Sequence, residues 1–319
     1  MFAVYGAAPP VHFLRESDHG AISFPSLTLP ENRFISLTQE GKPVVISGVL
    51  SFPPTGSRPF PAVILAHGCG GVSPTVREWS KQLNKMGTAA FRVDSFSGRG
   101  IRETCTGESS INRGSRLIDV YRARELLSTY PRIDGSRIAL MGFSQGGGVT
   151  LLARQLRLQR LWMNGNHDFA AYLAFYPATC NREFLQETEV SDRPLRIFQG
   201  TADDWTPIGP CRAYVQKMQR AGKDVEIFAY DGAHHSFDNP SLPAARFRPE
   251  VFNGSNCLYV EREPGKFEIL HRETGKLSNS KSPCSKRGAT IGHHPRAYKQ
   301  AIEDVSGFLR RVFEGSARK

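Results

Sequence analysis

A serine, an acidic pair and a histidine pair each follow an apolar run in this 319-residue sequence. Ser144 lies in the pentapeptide "GFSQG", which fits the pattern G-x-S-x-G, while Asp203 and Asp204 lie in "TADDWTP" and His234 and His235 lie in "GAHHSF". A serine hydroxyl becomes a nucleophile when a positioned base removes its proton and an acid orients that base. The order serine, acid, histidine is typical of enzymes whose nucleophile lies on a strand-to-helix turn.

The pentapeptide alone leaves two interpretations of the serine. With 30 glycines in the chain, the pattern can arise by chance in an ordinary loop. The surroundings are more specific, because the apolar run "RIALMGF" ends at Phe143 and a helical pattern begins at Gly146. A strand, a sharp turn and a helix are what a nucleophile elbow requires, with small residues flanking the serine. We therefore expect Ser144 to be the nucleophile.

The acid and the base each come as a pair of neighbours. The aspartates follow the run "PLRIFQG" and the histidines follow the run "VEIFAY", so both pairs lie at the carboxyl end of a predicted strand. This is the edge at which open α/β sheets build their sites. Taken singly, an acidic pair can cap a helix and adjacent histidines can be surface residues. The order and the strand ends predict Asp203 or Asp204 as the acid and His235 as the base.

Ester chemistry on a serine also needs backbone N–H groups that bind the carbonyl oxygen as it becomes an anion. One donor is expected at Gln145, the residue after the nucleophile, and the other in the loop after an earlier strand. The segment "AHGCGG" directly follows the apolar run "FPAVIL", which places the second donor at Cys69. As a nucleophile Cys69 is disfavoured, because it does not lie on the elbow; a small buried side chain is its other interpretation.

These residues require a sheet that brings strand ends together. Apolar runs of strand length alternate with stretches of helical period, which indicates an α/β fold with a mostly parallel, doubly wound sheet flanked by helices. Strands are predicted at 43–50, 60–68, 88–94, 137–143, 170–176, 194–200 and 225–230, and helices at 74–85, 113–130, 146–161, 210–221 and 295–313.

We expect one domain over residues 33–319, preceded by an N-terminal extension at 1–32. Residues 239–294 interrupt the rhythm with a polar insertion, in which "LYVEREPGKFEILHR" predicts a β-hairpin. Cys257 and Cys284 bracket that hairpin and are the expected disulfide if the protein is exported, whereas in the cytosol they would be reduced thiols. The six cysteines show no C-x-x-C pair or Cys/His ligand spacing, so no metal and no cofactor is expected.

The composition limits the classes of partner. A net charge of +11 would suit an anionic partner or serve solubility, but the basic residues are scattered apart from "RQLRLQR", so nucleic-acid binding is not expected. No run of 18 apolar residues is present, so no membrane-spanning helix is expected. The start, "MFAVYGAAPP", fits either the tail of a signal peptide or an ordinary terminus. The even cysteine count is compatible with export, although a chain of this length does not need disulfides to fold, so the compartment stays open, with a periplasmic or secreted location preferred to the cytoplasm.

The motifs "HGCGG", "VDSFSGRG", "MGFSQGG", "GTADDWTP" and "GAHHSF" resemble those of the dienelactone hydrolase family of the α/β-hydrolase superfamily, over residues 43–313 outside the insertion. The resemblance implies the α/β-hydrolase fold and places the acid at Asp203 and the base at His235. The hydrolases that name the family carry a cysteine in the elbow and an acidic residue beside the oxyanion loop. Here Ser144 and "AHGCGG" stand at those places, which favours a serine esterase.

The resemblance also implies that an arginine after the strand of "VDSFSGRG" holds a substrate carboxylate; Arg99 is that candidate, with a salt bridge to a neighbouring loop as the alternative. Trp205, Phe143 and Phe237 are expected to be apolar walls of the substrate pocket. We therefore predict a serine hydrolase that cleaves small carboxylic esters or lactones, some of them anionic, through an acyl-enzyme. The alternatives are a dienelactone hydrolase proper or an acyltransferase that uses the same triad.

Overall fold

The computed structural model describes residues 9–30, 40–107, 111–165 and 168–316. Its centre is an eight-stranded sheet in the order β1-β2-β4-β3-β5-β6-β8-β9, parallel from β4 to β9 and antiparallel at β1 and β2. The predicted α/β class is confirmed. The strands of this sheet are β1 Gly20–Thr28, β2 Lys42–Ser51, β3 Phe60–Ala66, β4 Ala89–Asp94, β5 Ile133–Phe143, β6 Tyr172–Phe175, β8 Leu195–Gly200 and β9 Val225–Tyr230.

Helices cover both faces of the sheet. Two separate hydrophobic clusters result, one that includes Leu117 and Val215 and one that includes Trp79 and Phe308. Strand β3 lies between them with Val63 and Ile64 fully buried, which explains its almost continuous apolar sequence. The helices are α1 Pro74–Lys85, α2 Arg113–Ser128, α3 Gln145–Leu152, α4 Leu156–Trp162, α5 Ile208–Arg220 and α6 Pro295–Ser316.

The helix predicted at 146–161 is two helices, because the chain is anchored between α3 and α4. Arg154 is fully buried there and donates hydrogen bonds to the carbonyl oxygen of Ser191 at 3.0 Å and to the Tyr214 hydroxyl at 3.3 Å. Gln155 forms a β-bridge with Val190. The stretch "RQLRLQR" therefore begins inside the core and is not one continuous basic surface.

The predicted boundary at residue 32 is wrong, because β1 is part of the main sheet. Strand β1 pairs along its whole length with β2, from Gly20 opposite Leu50 to Thr28 opposite Lys42. Its inward side chains alternate, with Phe24 buried against the ring of Phe91. Residues 1–8, on which the signal-peptide interpretation rests, lie outside the described residues.

The predicted insertion forms four strands, β10 Arg246–Asn253, β11 Cys257–Glu263, β12 Lys266–His271 and β13 Lys286–Ile291. Strands β11 and β12 form the predicted hairpin, and β10 pairs with β13. The hairpin is tied to the domain because β11 runs parallel to the short strand β7, Arg182–Glu183, with Tyr259 opposite Arg182. The insertion therefore lies at the carboxyl edge of the sheet, where the candidate site was predicted.

All six cysteines form disulfides. The predicted pair Cys257–Cys284 is present, and the other two bonds are Cys69–Cys105 and Cys180–Cys211. Two of these bonds join residues beside the candidate site, one at the "AHGCGG" loop and one at the start of α5. Among the described residues, none of the helices has the length and apolar character needed to cross a membrane.

Candidate active site

Ser144 lies on a strained turn between β5 and α3. Its backbone has φ 53° and ψ −113°, a conformation that residues with a side chain rarely adopt. A Cβ atom added at Gly142 would lie 2.1 Å from the carbonyl oxygen of Gly146, and one added at Gly146 would lie 2.1 Å from that of Ala66. Both flanking glycines are therefore required by close backbone contacts, and the turn is a nucleophile elbow.

The structure brings Ser144, His235 and Asp203 into one hydrogen-bonded chain. The His235 Nε2 atom lies 3.0 Å from the Ser144 hydroxyl oxygen, and Nδ1 lies 2.8 Å from a carboxylate oxygen of Asp203. His235 and Asp203 are almost completely buried. Because Nδ1–H donates to the carboxylate, Nε2 is left to accept the serine proton.

Asp203 is fixed by the loop that follows it. Its Oδ1 atom accepts the backbone N–H groups of Trp205 at 2.9 Å and Thr206 at 2.8 Å, and Oδ2 accepts from the Gln199 amide at 3.0 Å as well as from His235. These four donors hold the carboxylate of Asp203 in one orientation.

Asp204 and His234, the neighbours of Asp203 and His235 in the sequence, point elsewhere. Asp204 is exposed, and its carboxylate accepts the backbone N–H and the hydroxyl of Thr290 in β13. His234 Nδ1 lies 3.0 Å from the carbonyl oxygen of Ala202. The structure thus brings Asp203, and neither Asp204 nor His234, into the chain that ends at Ser144.

Two aromatic rings hold the imidazole of His235. The ring of Tyr176 lies 4.5 Å and the ring of Trp205 lies 4.8 Å from it. The Tyr176 hydroxyl donates to Asp238 at 2.7 Å, and Trp79 Nε1 donates to the other oxygen of the same carboxylate. Burial raises the pKa of Asp238 to about 6, although the two donated hydrogen bonds act in the opposite direction. The hydrogen bond to this buried carboxyl group holds the Tyr176 ring beside His235.

The predicted oxyanion donors lie beside Ser144. Cys69 and Gln145 line the same cavity as Ser144. The loop before Cys69 is held from inside by His67, whose Nδ1 contacts the Gly68 carbonyl oxygen at 2.7 Å and whose Nε2 accepts the Ser95 backbone N–H at 3.2 Å. Burial, and then the positive charge of Arg116, lowers the pKa of His67 to about 3, so this imidazole is neutral.

The walls of the cavity differ from those predicted. Trp205 lines it as expected, but Phe143 and Phe237 do not, and that prediction is wrong. Both phenylalanines are buried in the core, where Phe143 packs against Phe175 and Phe237 against Tyr230. The cavity is instead lined by residues of the insertion and of the segments beside it, among them Phe252, Ser255, Tyr259, Pro177, Arg113 and Arg182.

The sequence profile of the dienelactone hydrolase family matches residues 46–253, which are well over half of the protein. This range includes Ser144, Asp203 and His235. The chain belongs to the dienelactone hydrolase family. It is therefore an α/β hydrolase that acts on carboxylic esters, a class that includes lactones.

The names of two similar proteins are consistent with membership of this family. A probable 2-oxo-3-(5-oxofuran-2-ylidene)propanoate lactonase of Bradyrhizobium sp. is 24% identical over 186 residues, which cover 56% of this chain and 73% of that protein. A putative carboxymethylenebutenolidase of Synechocystis sp. is 24% identical over 204 residues, covering 60% and 81%. A solved structure of a dienelactone hydrolase-like promiscuous phosphotriesterase from metagenomic libraries superposes with a TM-score of 0.58 at 16% identity, covering 92% and 99%. This last likeness shows a shared fold.

The substrate arginine implied by the family resemblance is not at the site in this member. The Arg99 guanidinium makes a bidentate ion pair with Asp119 at 2.8 and 2.9 Å, and both side chains are buried. Arg99 Nε also donates to the Thr28 hydroxyl at 2.9 Å. The prediction that Arg99 binds substrate is therefore wrong, and the alternative, a salt bridge inside the fold, describes its contacts.

Sequence reasoning missed four residues that lie at the site or support it. Thr104 and Arg116 lie on segments with no motif of their own, and Phe252 and Tyr259 lie in the insertion. Among the described residues, no three His, Cys, Asp or Glu side chains are grouped as a metal site would need. The signals for the insertion were the polar composition of residues 239–294 and the hairpin sequence that Cys257 and Cys284 bracket.

Proposed function

We propose that this protein hydrolyses small carboxylic esters or lactones through an acyl-enzyme on Ser144, with His235 as the general base and Asp203 as its orienting acid. The observation that carries this is the unbroken hydrogen-bonded chain from the Ser144 hydroxyl through His235 to Asp203. The chain begins on an elbow whose strained backbone points the hydroxyl at the cavity.

The reaction proceeds in two halves. His235 Nε2 takes the Ser144 proton while the oxygen attacks the ester carbon, and the carbonyl oxygen becomes an anion bound by the backbone N–H groups of Cys69 and Gln145. The tetrahedral intermediate expels the alcohol oxygen, which takes the proton from His235. Water then enters, loses a proton to His235 and attacks the acyl carbon, and Ser144 leaves with that proton restored.

An acyltransferase would share the first half and differ in the second. An alcohol or amine would replace water as the acceptor of the acyl group. Analysis of the products with competing acceptors separates the two, since hydrolysis gives the free acid in each case. Hydrolysis is favoured because the family to which the chain belongs consists of hydrolases.

A fluorophosphonate probe tests the proposed nucleophile. The probe should label the folded protein at a stoichiometry near one, and the modified peptide should contain Ser144, because His235 activates that hydroxyl alone. Heat-denatured protein is the control and should not be labelled, since the elbow and the base are then apart. A label on another serine would refute the assignment.

We further propose that the favoured substrates are anionic. Arg113 and Arg182 line the same cavity as Ser144. Burial, and then the charge of Arg113, lowers the pKa of Arg182, so the two guanidinium groups lie within electrostatic reach of each other. The relative from Bradyrhizobium sp. bears the name of a lactonase whose substrate is a propanoate. Guanidinium groups bind carboxylates with charge-assisted hydrogen bonds.

A matched pair of lactones tests the charge. A lactone with a free carboxylate is expected to show a kcat/KM about tenfold higher than its neutral carboxamide analogue, the factor given by one charge-assisted hydrogen bond. The advantage should shrink as the salt concentration rises. Equal kcat/KM values for the two lactones would show that substrate charge is not recognised, and would leave the nucleophile assignment untouched.

A further inference from the structure

Two donors hold the side chain of Gln145, the residue after the nucleophile. Gln145 Oε1 accepts a hydrogen bond from the Thr104 hydroxyl at 3.0 Å and another from Arg116 Nη1 at 3.2 Å. The side chain lines the cavity, so it would be free to rotate without these donors. Because α3 begins at Gln145, holding its side chain also holds the first peptide of the helix.

The same Thr104 holds the loop that carries Cys69. The backbone N–H of Thr104 donates to the Cys69 carbonyl oxygen at 2.8 Å. The next residue, Cys105, forms a disulfide with Cys69. The Thr104 hydroxyl also lies 3.5 Å from the same carbonyl oxygen. One short segment thus contacts both residues whose backbone N–H groups are the proposed oxyanion donors, by a disulfide and by hydrogen bonds.

Arg116 donates hydrogen bonds to both of these segments, the one that carries Gln145 and the one that leads to Cys69. It is almost completely buried in α2, and its Nη2 donates to the carbonyl oxygen of His67, two residues before Cys69. Burial lowers the pKa of Arg116 to about 9, so the guanidinium keeps its charge at neutral pH. Hydrogen bonds from a charged donor are roughly twice as strong as neutral ones. Arg116 therefore fixes the spacing between the two segments.

We infer that Thr104 and Arg116 are positioning residues for the oxyanion hole, and that the Cys69–Cys105 disulfide is a third tie between its two halves. Together, these three ties form an oxyanion brace. The inference rests on the proposed function, because the brace has a catalytic effect only if the backbone N–H groups of Cys69 and Gln145 bind the oxyanion.

The physical reason for such a brace is the geometry of the transition state. The two N–H groups must lie about 2.7 to 3.1 Å from the oxygen once it carries the negative charge. The oxyanion does not exist in the bound ester, so looser donors weaken the transition state and leave substrate binding alone. Loss of the brace should therefore lower kcat and leave KM unchanged, whereas a purely structural role would lower Tm without changing kcat.

Thr104 offers the sharpest test. Thr104→Val removes the hydroxyl and keeps the shape, and we expect kcat to fall about fivefold to tenfold, the value of one hydrogen bond, with KM within about twofold. Thr104→Ser restores the hydroxyl and should restore most of kcat. Affinity for a trifluoromethyl ketone, which adds to the serine to form an oxyanion, should fall by the same factor as kcat. A Thr104→Val enzyme with the wild-type kcat would overturn the inference.

The disulfide is tested against a matched bond elsewhere. Cys69→Ala/Cys105→Ala removes a bond that joins residues 36 apart, and Cys257→Ala/Cys284→Ala removes one that joins residues 27 apart. The chain-entropy effect on stability is nearly the same for both. We expect the first pair to lose about tenfold in kcat, well below its Tm, while the second pair keeps kcat. Equal kcat values in the two pairs would remove the disulfide from the brace.

Failure of the brace and failure of the proposed function give different results. If the fluorophosphonate labels Ser144 in the wild type while the Thr104 and Cys69 variants keep kcat, the brace is wrong and the nucleophile assignment stands. If the wild-type label lies on another residue, the proposed function is wrong and the brace falls with it.

Discussion

The Ser144→Ala enzyme is expected to hydrolyse esters about 10⁵- to 10⁶-fold more slowly than the wild type, judged by kcat. The alanine enzyme cannot form the acyl-enzyme, so water must attack without a covalent intermediate. KM should change little, because the hydroxyl contributes little to binding of the ground state. Steady-state hydrolysis of a chromogenic ester measures both constants.

Ser255→Ala is the matched control for this result. Ser255 lines the same cavity, and its backbone N–H is bound by Asn253. The structure gives its hydroxyl no contact with the imidazole of His235 among the described residues, so kcat should stay within a few-fold of the wild type. The assignment fails if Ser144→Ala keeps more than about one per cent of the wild-type kcat.

The chain Ser144, Asp203, His235 was accessible from sequence because each member marks the end of a strand. An apolar run of strand length is a local signal, and the carboxyl ends of parallel strands meet at one edge of the sheet. The choice between Asp203 and Asp204 was not accessible from spacing. It depends on the direction of two adjacent side chains, and Asp204 faces the insertion through Thr290 in the structure.

The incorrect predictions for β1 and for Arg99 share a physical cause, because both features depend on contacts between distant parts of the chain. Strand β1 was missed because its partner β2 begins 14 residues after Thr28 and the pairing has no local signature. Arg99 was assigned to substrate by the family resemblance, and nothing near it in the sequence indicates Asp119 as its partner. A charged residue after a strand can bind substrate or form an ion pair inside the fold, and the residue that it contacts in the folded protein decides between the two roles.

The residues that line the cavity were also only partly predictable from local sequence. Phe143 and Phe237 belong to the motifs around Ser144 and His235, yet both rings pack into the core, Phe143 from the last position of β5 and Phe237 from the turn that follows β9. The insertion supplies Phe252 and Tyr259 instead, through strands that the polar composition of residues 239–294 only partly revealed.

Export to an oxidising compartment stays a prediction; the three disulfides are compatible with it.

Asp203→Asn is expected to lower kcat by about four orders of magnitude. The side-chain oxygen of the new amide would keep the backbone N–H groups of Trp205 and Thr206, because these already hold Oδ1 of the aspartate. The amide nitrogen would then face His235 Nδ1 and donate to it, so the imidazole would carry its proton on Nε2. An Nε2–H group cannot accept the Ser144 proton, and the nucleophile would stay protonated at neutral pH.

Asp204→Asn is the matched control, since it makes the same chemical change one residue along. Asp204 is exposed and bonds to Thr290 in the insertion, so its amide variant should keep kcat within about tenfold and lose at most a modest amount of stability. The labelling rate with the fluorophosphonate should follow the same order, because the probe reacts with the activated hydroxyl. If Asp204→Asn proves the more damaging variant, the orienting acid is Asp204, and the burial of Asp203 against Gln199 serves the loop alone.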